Sequence, residues 1–106
     1  MSAKVREILA DLRRRFEALY GPRLVQMVLY GSQARSDAEP GSDIDVLVVL
    51  SGEVDPCREI KRTIDGVVAV SSAYDEVVAC CFVSEAEYAH ERSPLLINVR
   101  RDGIRL

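Results

Sequence analysis

Apolar residues near the start of the chain recur at intervals of three and four positions. This spacing places them on one side of a helix and predicts an amphipathic helix from about Ala3 to Tyr20, which Gly21-Pro22 ends. The residues of this apolar stripe are Val5, Ile8, Leu9, Leu12, Phe16 and Leu19. The chain therefore begins with a helix that needs a surface to pack against.

Two apolar stretches beyond this helix have the composition of β-strands. The stretch from Leu24 to Tyr30 favours β structure and is broken by Gly31-Ser32. The stretch from Asp43 to Leu50 is apolar at every position from Val46 onward, which is typical of a strand buried on both faces. Residues 36–42 are turn formers and predict a surface loop. A loop this short favours an antiparallel pairing of the two strands.

The next predicted helix starts at Asp55-Pro56, which suit the N-cap and the first helical position, and runs to about Ser72. Four apolar residues recur in it at helical spacing: Ile60, Ile64, Val67 and Val68. Gly66 weakens the helix locally. A helix that crosses between two strands makes a parallel pairing of the second and third strands the simplest arrangement.

The remaining elements are short. They are a strand from Val77 to Val83, a helix opened by the capping box Ser84-x-x-Glu87 and ending near His90, a helix that begins at Ser93-Pro94, and a terminal edge strand at Ile104-Arg105-Leu106. The order of elements predicts one mixed α/β domain over residues 1–106, with a small mixed β-sheet flanked by helices.

Composition narrows the functional classes. The chain has 14 Lys and Arg against 17 Asp and Glu, a formal charge of −3, which argues against direct binding of nucleic acid. It has no apolar run of about 18–20 residues and no apolar core of a signal peptide, so we expect a cytoplasmic protein without a membrane segment. Cys57, Cys80 and Cys81 fit neither a zinc site nor a disulfide framework and predict free thiols.

The candidate chemistry lies between the first two strands. Because strand residues alternate faces, Asp43 and Asp45 should point the same way, with Cβ atoms about 6–7 Å apart. The turn at Gly31-Ser32 exposes amide groups that bind anions, phosphate above all. Arg35 can add a contact to phosphate or pair with a nearby acid. Mg²⁺ typically binds one or two carboxylates together with substrate phosphates, so the pattern predicts metal-dependent phosphoryl or nucleotidyl transfer.

The segments GSQAR and GSDIDVLVVL resemble the motifs of the nucleotidyltransferase superfamily typified by DNA polymerase beta, and more narrowly those of the minimal nucleotidyltransferases (MNT). The resemblance implies a polymerase beta-like nucleotidyltransferase core over essentially the whole chain. It also implies that Gly31 and Ser32 contact the triphosphate of ATP, with Arg35 beside them. Asp43 and Asp45 would bind Mg²⁺ at a two-metal site.

One part of the family pattern is displaced. Members that transfer nucleotides use a third carboxylate from a later strand, but the predicted third strand, Val77 to Val83, contains no acid. Asp75 and Glu76 precede this strand, and by alternation only one of them can face the site. We take Asp75 as the third catalytic carboxylate. Glu76, or no third carboxylate at all, are the alternatives.

The resemblance also implies a partner. Minimal nucleotidyltransferases pair with helical HEPN-type proteins, which are often toxin ribonucleases, and act as antitoxins by attaching AMP to the toxin or by binding it. A chain of 106 residues leaves little room for an acceptor pocket, so a partner would supply that surface. The alternatives are a non-catalytic binding module and, less favoured because there is no acceptor domain, a transferase acting on small molecules such as antibiotics. Self-association is open.

Overall fold

Helices and strands alternate in the computed structural model, which describes every residue from Met1 to Leu106. The helices are α1 (Ala3–Tyr20), α2 (Ser32–Arg35), α3 (Pro56–Tyr74), α4 (Glu85–His90) and α5 (Pro94–Asp102), with a 3-10 turn at Gly21–Arg23. The strands are β1 (Leu24–Tyr30), β2 (Ile44–Leu50), β3 (Val78–Ser84) and β4 (Ile104–Arg105).

The four strands form one mixed sheet in the order β3-β2-β1-β4. β1 pairs antiparallel with β2 and with β4, and β2 pairs parallel with β3. The predicted fold class is therefore confirmed, a small mixed sheet flanked by helices. The bounds differ from the prediction by one or two residues, since α3 continues to Tyr74 and β2 begins at Ile44. No helix is both long and apolar enough to cross a membrane.

Alternation along β2 divides the core between two sides of the sheet. Ile44, Val46, Val48 and Leu50 belong to the larger cluster, which also contains the buried residues of α1. The residues between them, such as Leu47, belong to a smaller cluster that contains the buried residues of α5. Asp45 shares the direction of Leu47, so it lies on the α5 side of the sheet.

Two helices bury different residues from those that their apolar patterns suggest. In α1, Leu19 is 47% exposed and Tyr20 is buried in its place. In α3, most of the apolar stripe lies outside the core, with Ile60 and Ile64 each 45% exposed and Val68 52% exposed. The fully buried residues of α3 are Glu59, Thr63 and Val70.

The burial of Glu59 explains which side of α3 faces the core. The Tyr20 hydroxyl donates a hydrogen bond of 2.7 Å to Glu59 Oε1, and Arg62 Nε lies 3.0 Å from the same oxygen. A buried carboxylate is tolerated only when it is paired and hydrogen-bonded. This contact between α1 and α3 fixes the start of α3 with Glu59 inward, and it turns the neighbouring Ile60 outward.

Local signals define the helix ends as predicted. Ser84 and Glu87 form the capping box, with the Glu87 amide 3.1 Å from Ser84 Oγ and the Ser84 amide 3.0 Å from Glu87 Oε1. Asp55 caps α3 by accepting a hydrogen bond of 3.1 Å from the amide of Cys57. Gly66 does not interrupt α3.

Candidate functional site

The loop after β1 is built on a glycine with a left-handed backbone. Gly31 has φ +74° and precedes the single turn of α2. The amides of Ala34 and Arg35 both donate to its carbonyl oxygen, at 3.1 and 3.2 Å. The amides at the very start of a helix have no partner within the helix, so this turn leaves free N–H groups that could bind an anion. A residue other than glycine would adopt this φ only under strain.

The carboxylates stand opposite this loop, at the start of β2. Asp45 pairs with Tyr30, the last residue of β1, so it lies directly beside Gly31. The approach is so close that a Cβ at position 31 would overlap with Asp45 Oδ2. The structure therefore brings the glycine loop and the second aspartate of Asp43-x-Asp45 into contact. Asp43 comes just before the strand and is exposed.

The electrostatic environment disfavours a second negative charge at Asp45. Burial raises the pKa of its carboxyl, and the charge of Asp43 raises it further. Arg35 acts in the opposite direction, as the weakest of the three causes. The exposed carboxylate of Asp43 therefore acts on the partly buried one of Asp45 with only partial compensation from Arg35. A bound cation would remove this repulsion.

Arg35 is placed between several acids. Its Nε lies 3.2 Å from Asp37 Oδ2, in an ion pair that is largely exposed on both sides. Its charge also lowers the pKa of Asp45 and that of Asp102 at the end of α5, where Arg101 is the main cause. Sequence reasoning did not find Asp102, because no local signal at the end of the last helix points to the loop after β1.

We expect Arg35→Gln to raise the pKa of both Asp45 and Asp102, because the positive charge that favours both ionised carboxylates is lost. NMR titration of the carboxyl carbons would measure both shifts. Arg101→Gln is the matched control, since it should raise the pKa of Asp102 and leave Asp45 unchanged. An equal change in the pKa of Asp45 in the two variants would contradict this placement of Arg35.

Tyr30 links the site to the core. Its ring is half-buried against the smaller cluster. Burial, followed by the neighbouring Cys81 and Asp45, raises the pKa of its hydroxyl to about 12. The hydroxyl therefore stays protonated at neutral pH. The sequence favours Tyr30 as a packing residue. In the structure it packs against the smaller cluster and is also the neighbour of Asp45 on the adjacent strand.

The two candidates for a third carboxylate lie at the end of α3 and just beyond it. Asp75 is the C-cap of α3 with φ +53°, and it borders a cavity of about 340 Å³ that Gly41 also lines. Glu76 forms an ion pair of 3.2 Å with Lys4. No three acidic, histidine or cysteine side chains come together as a metal-binding group.

The position on β3 directly beside Asp45 is occupied by Ala79. Neighbouring residues in register point to the same side of a sheet, so an acid at this position would face the site. The chain has alanine there. The cavity that Asp75 borders is lined by Gly41 but by neither Asp43 nor Asp45, so the structure does not bring Asp75 to the aspartate pair, and its role as the third catalytic carboxylate stays a prediction.

Comparison with known proteins gives one family-model match and several similar structures. The family model described as a nucleotidyltransferase domain matches residues 5–98. The chain resembles a chain from a crystal structure of a toxin-antitoxin with AMP-PNP, with a TM-score of 0.58 and 21% identity over 89% of this chain and 68% of that one. It also resembles a chain from a mutant MntA-HpeT toxin-antitoxin structure, with a TM-score of 0.58 and 24% identity over 95% of this chain and 69% of that one.

A third similar structure is that of the tri-AMPylated Shewanella oneidensis HEPN toxin in complex with MNT antitoxin. It gives a TM-score of 0.50 and 19% identity, over 92% of this chain and 70% of that one. At these identities the likeness concerns the fold. No match is found among the curated proteins.

Proposed function

Because this chain belongs to the nucleotidyltransferase domain family, we propose that it transfers AMP from ATP to a HEPN-type partner in a reaction that depends on Mg²⁺. We further propose that it acts in the cytoplasm as the antitoxin of a toxin-antitoxin pair. The observation that carries this proposal is the contact between the Gly31 loop and Asp45, which places the proposed phosphate-binding turn beside one of the two proposed metal-binding carboxylates. Similar structures of a toxin-antitoxin with AMP-PNP and of a tri-AMPylated HEPN toxin support the choice of nucleotide and acceptor.

The donor set fits Mg²⁺. Asp43 and Asp45 offer carboxylate oxygens, which this hard cation prefers. Burial raises the pKa of Asp45 most and the charge of Asp43 raises it further, and a divalent cation would offset both effects. When bound, Mg²⁺ supplies positive charge that offsets the negative charge developing on the phosphate oxygens.

The reaction divides the remaining tasks among residues around the loop. In this proposal the amides at Gly31 and Ser32 bind the triphosphate, and Arg35 contacts it or steadies the loop. An acceptor hydroxyl oxygen of the partner attacks the α-phosphorus of ATP and forms a new P–O bond. The bond to pyrophosphate breaks, and the hydroxyl proton leaves to a base. Asp75 is the proposed base; it borders a cavity that Gly41, in the loop before Asp43, also lines.

The experiment that tests the proposal combines the purified chain, ATP, Mg²⁺ and the protein encoded beside it. Intact-mass measurement should show the neighbouring protein heavier by one or more AMP units, and omission of Mg²⁺ should abolish the gain. Asp75→Asn and Glu76→Gln, tested separately, would show which of the two acts as the third carboxylate. If neither variant loses AMP transfer, the reaction proceeds without a third carboxylate.

A second function has one observation in its favour. Ala79 stands where an acid on β3 would face Asp45, so the site has no third carboxylate on this strand. A non-catalytic antitoxin would bind its partner and neutralise it without modification. Tight binding with an unchanged partner mass would favour this module. Absence of Mg²⁺-dependent ATP binding by calorimetry would exclude the catalytic proposal.

A further inference from the structure

One edge of the sheet is left open. β3 pairs only with β2, so the backbone groups along its other side have no strand partner. Its sequence, Val78–Ser84, contains no charged residue and no proline. Exposed edge strands usually carry such residues to prevent pairing with another chain. The opposite edge of the sheet is only the two-residue strand β4. The amides of Val78 and Ser84 already donate within the chain, to Ser71 Oγ and Glu87 Oε1, so the open part of this edge is the uncharged stretch between them.

An apolar stripe on α3 runs beside this edge. Ile60, Ile64 and Val68 succeed one another at intervals of four and are each about half exposed. Between the stripe and the strand is a groove of about 190 Å³, lined by seven apolar residues and Thr63. We call the stripe together with β3 the α3–β3 face. Exposed apolar patches of this kind mark interaction sites.

We propose that the α3–β3 face joins two copies of this chain in a two-fold symmetric dimer, with β3 of one copy antiparallel to β3 of the other. The stripe is self-complementary about its middle residue. With Ile64 on the two-fold axis, Ile60 of one copy meets Val68 of the other. Such an isologous contact uses the same patch on both subunits.

Charges beside the stripe fit the same axis. Lys61 and Asp65 are exposed, and neither forms an ion pair within the chain. Each follows a stripe residue by one position, so both lie on the same flank of α3. Two antiparallel helices place equal flanks against each other. With Ile64 on the axis, Lys61 of each copy would lie about 3 Å along the helix from Asp65 of the other. The long lysine side chain can span this offset, which gives two opposite-charge pairs per dimer.

The size of the face fits a weak dimer. The seven residues of β3 and roughly every second residue of α3 make about 17 residues, fewer than the 20 to 30 per side of a standard interface. A contact of this size predicts a dimer whose dissociation is measurable by dilution.

The first test measures the mass of the full chain in solution by sedimentation or light scattering. The wild type should approach twice its 11.8 kDa as its concentration rises. Ile64→Glu should remain monomeric, because it places two carboxylates on the axis. Ile97→Glu is the matched control, since Ile97 on α5 is 44% exposed, almost the same as Ile64. This variant should dimerise like the wild type, and circular dichroism should show both variants folded.

The second test uses the charge pairs. Lys61→Glu and Asp65→Lys should each weaken the dimer, because each creates two like-charge pairs across the axis. A mixture of the two single variants should form heterodimers, in which every pair is again opposite in charge. This recovery on mixing cannot arise from changes within one helix.

Three results would overturn the proposal. They are a wild type that stays monomeric at all concentrations, a dimer that survives Ile64→Glu, and a face that binds a HEPN-type protein while the chain alone remains monomeric. These measurements involve neither ATP nor Mg²⁺, so their outcome is separate from that of the AMP-transfer experiment.

Discussion

Asp45→Asn is expected to reduce AMP transfer about 100- to 1,000-fold, the range found when one electrostatic contributor is removed from a catalytic centre. Asparagine keeps the size and shape of the side chain but removes the charge that we propose binds Mg²⁺. The close contact with Gly31 should therefore persist. The loss should appear as a lower rate of mass gain on the partner in the intact-mass experiment.

The same substitution should leave stability at neutral pH unchanged or raise it. The pKa of Asp45 is higher in the folded chain than the ordinary value of about 3.9. Between these two pKa values the folded state binds more protons than the unfolded state, so the free energy of unfolding falls as pH rises through this window. The free energy of unfolding that is lost in this window is not regained at neutral pH. Asp45→Asn lacks this titration, and its thermal unfolding should lack this component of the pH dependence.

Glu39→Gln is the matched control for Asp45→Asn. Glu39 lies in the loop that precedes β2, the strand that carries Asp45; it is exposed, and its carboxylate forms no ion pair. The Glu39→Gln variant should transfer AMP like the wild type and keep the wild-type pH dependence of unfolding. Wild-type transfer by Asp45→Asn would remove Asp45 from the proposed site. A strong loss of stability would show instead that the carboxylate is structural.

The elements that depend on near neighbours in the chain were predictable from the sequence. The capping box of Ser84 with Glu87 and the start of α3 at Asp55-Pro56 are set by contacts within three residues. The pairing of β1 with β2 follows from the short loop between them. That pairing also brings Gly31 to Asp45, so half of the candidate site follows from local signals and one antiparallel pairing.

The features that were not predictable depend on distant contacts. Spacing alone suggests Ile60 and Ile64 as the buried side of α3, but the hydrogen bond from Tyr20 to Glu59 turns them outward. Ala79 faces the site only because of the register of β3 on β2. Arg35 lowers the pKa of Asp102 across 67 positions of sequence, since the end of α5 lies near the loop after β1. None of these contacts leaves a signal within one helix turn.

Gly31→Ala is expected to abolish most AMP transfer, by about 100-fold or more, because it displaces the carboxylate that the loop contacts. It should also lower the free energy of unfolding by about 2–4 kcal/mol. About 1 kcal/mol of this comes from the left-handed backbone and about 1–3 kcal/mol from overpacking. Its Cβ would overlap with Asp45 Oδ2, so either the loop or the aspartate must move. Chemical unfolding and the intact-mass experiment measure the two effects.

Gly52→Ala separates the effect of the left-handed backbone from the effect of the overlap with Asp45. Gly52 has φ +77°, almost the same as the +74° of Gly31, but a Cβ there would meet no atom within 4 Å. The Gly52→Ala variant should lose only the contribution of the backbone conformation, about 1 kcal/mol of the free energy of unfolding, and should transfer AMP like the wild type. Equal losses of stability in both variants would mean that the contact with Asp45 adds no strain. Full transfer by Gly31→Ala would mean that the close approach of the loop to Asp45 does not position the carboxylate for the reaction.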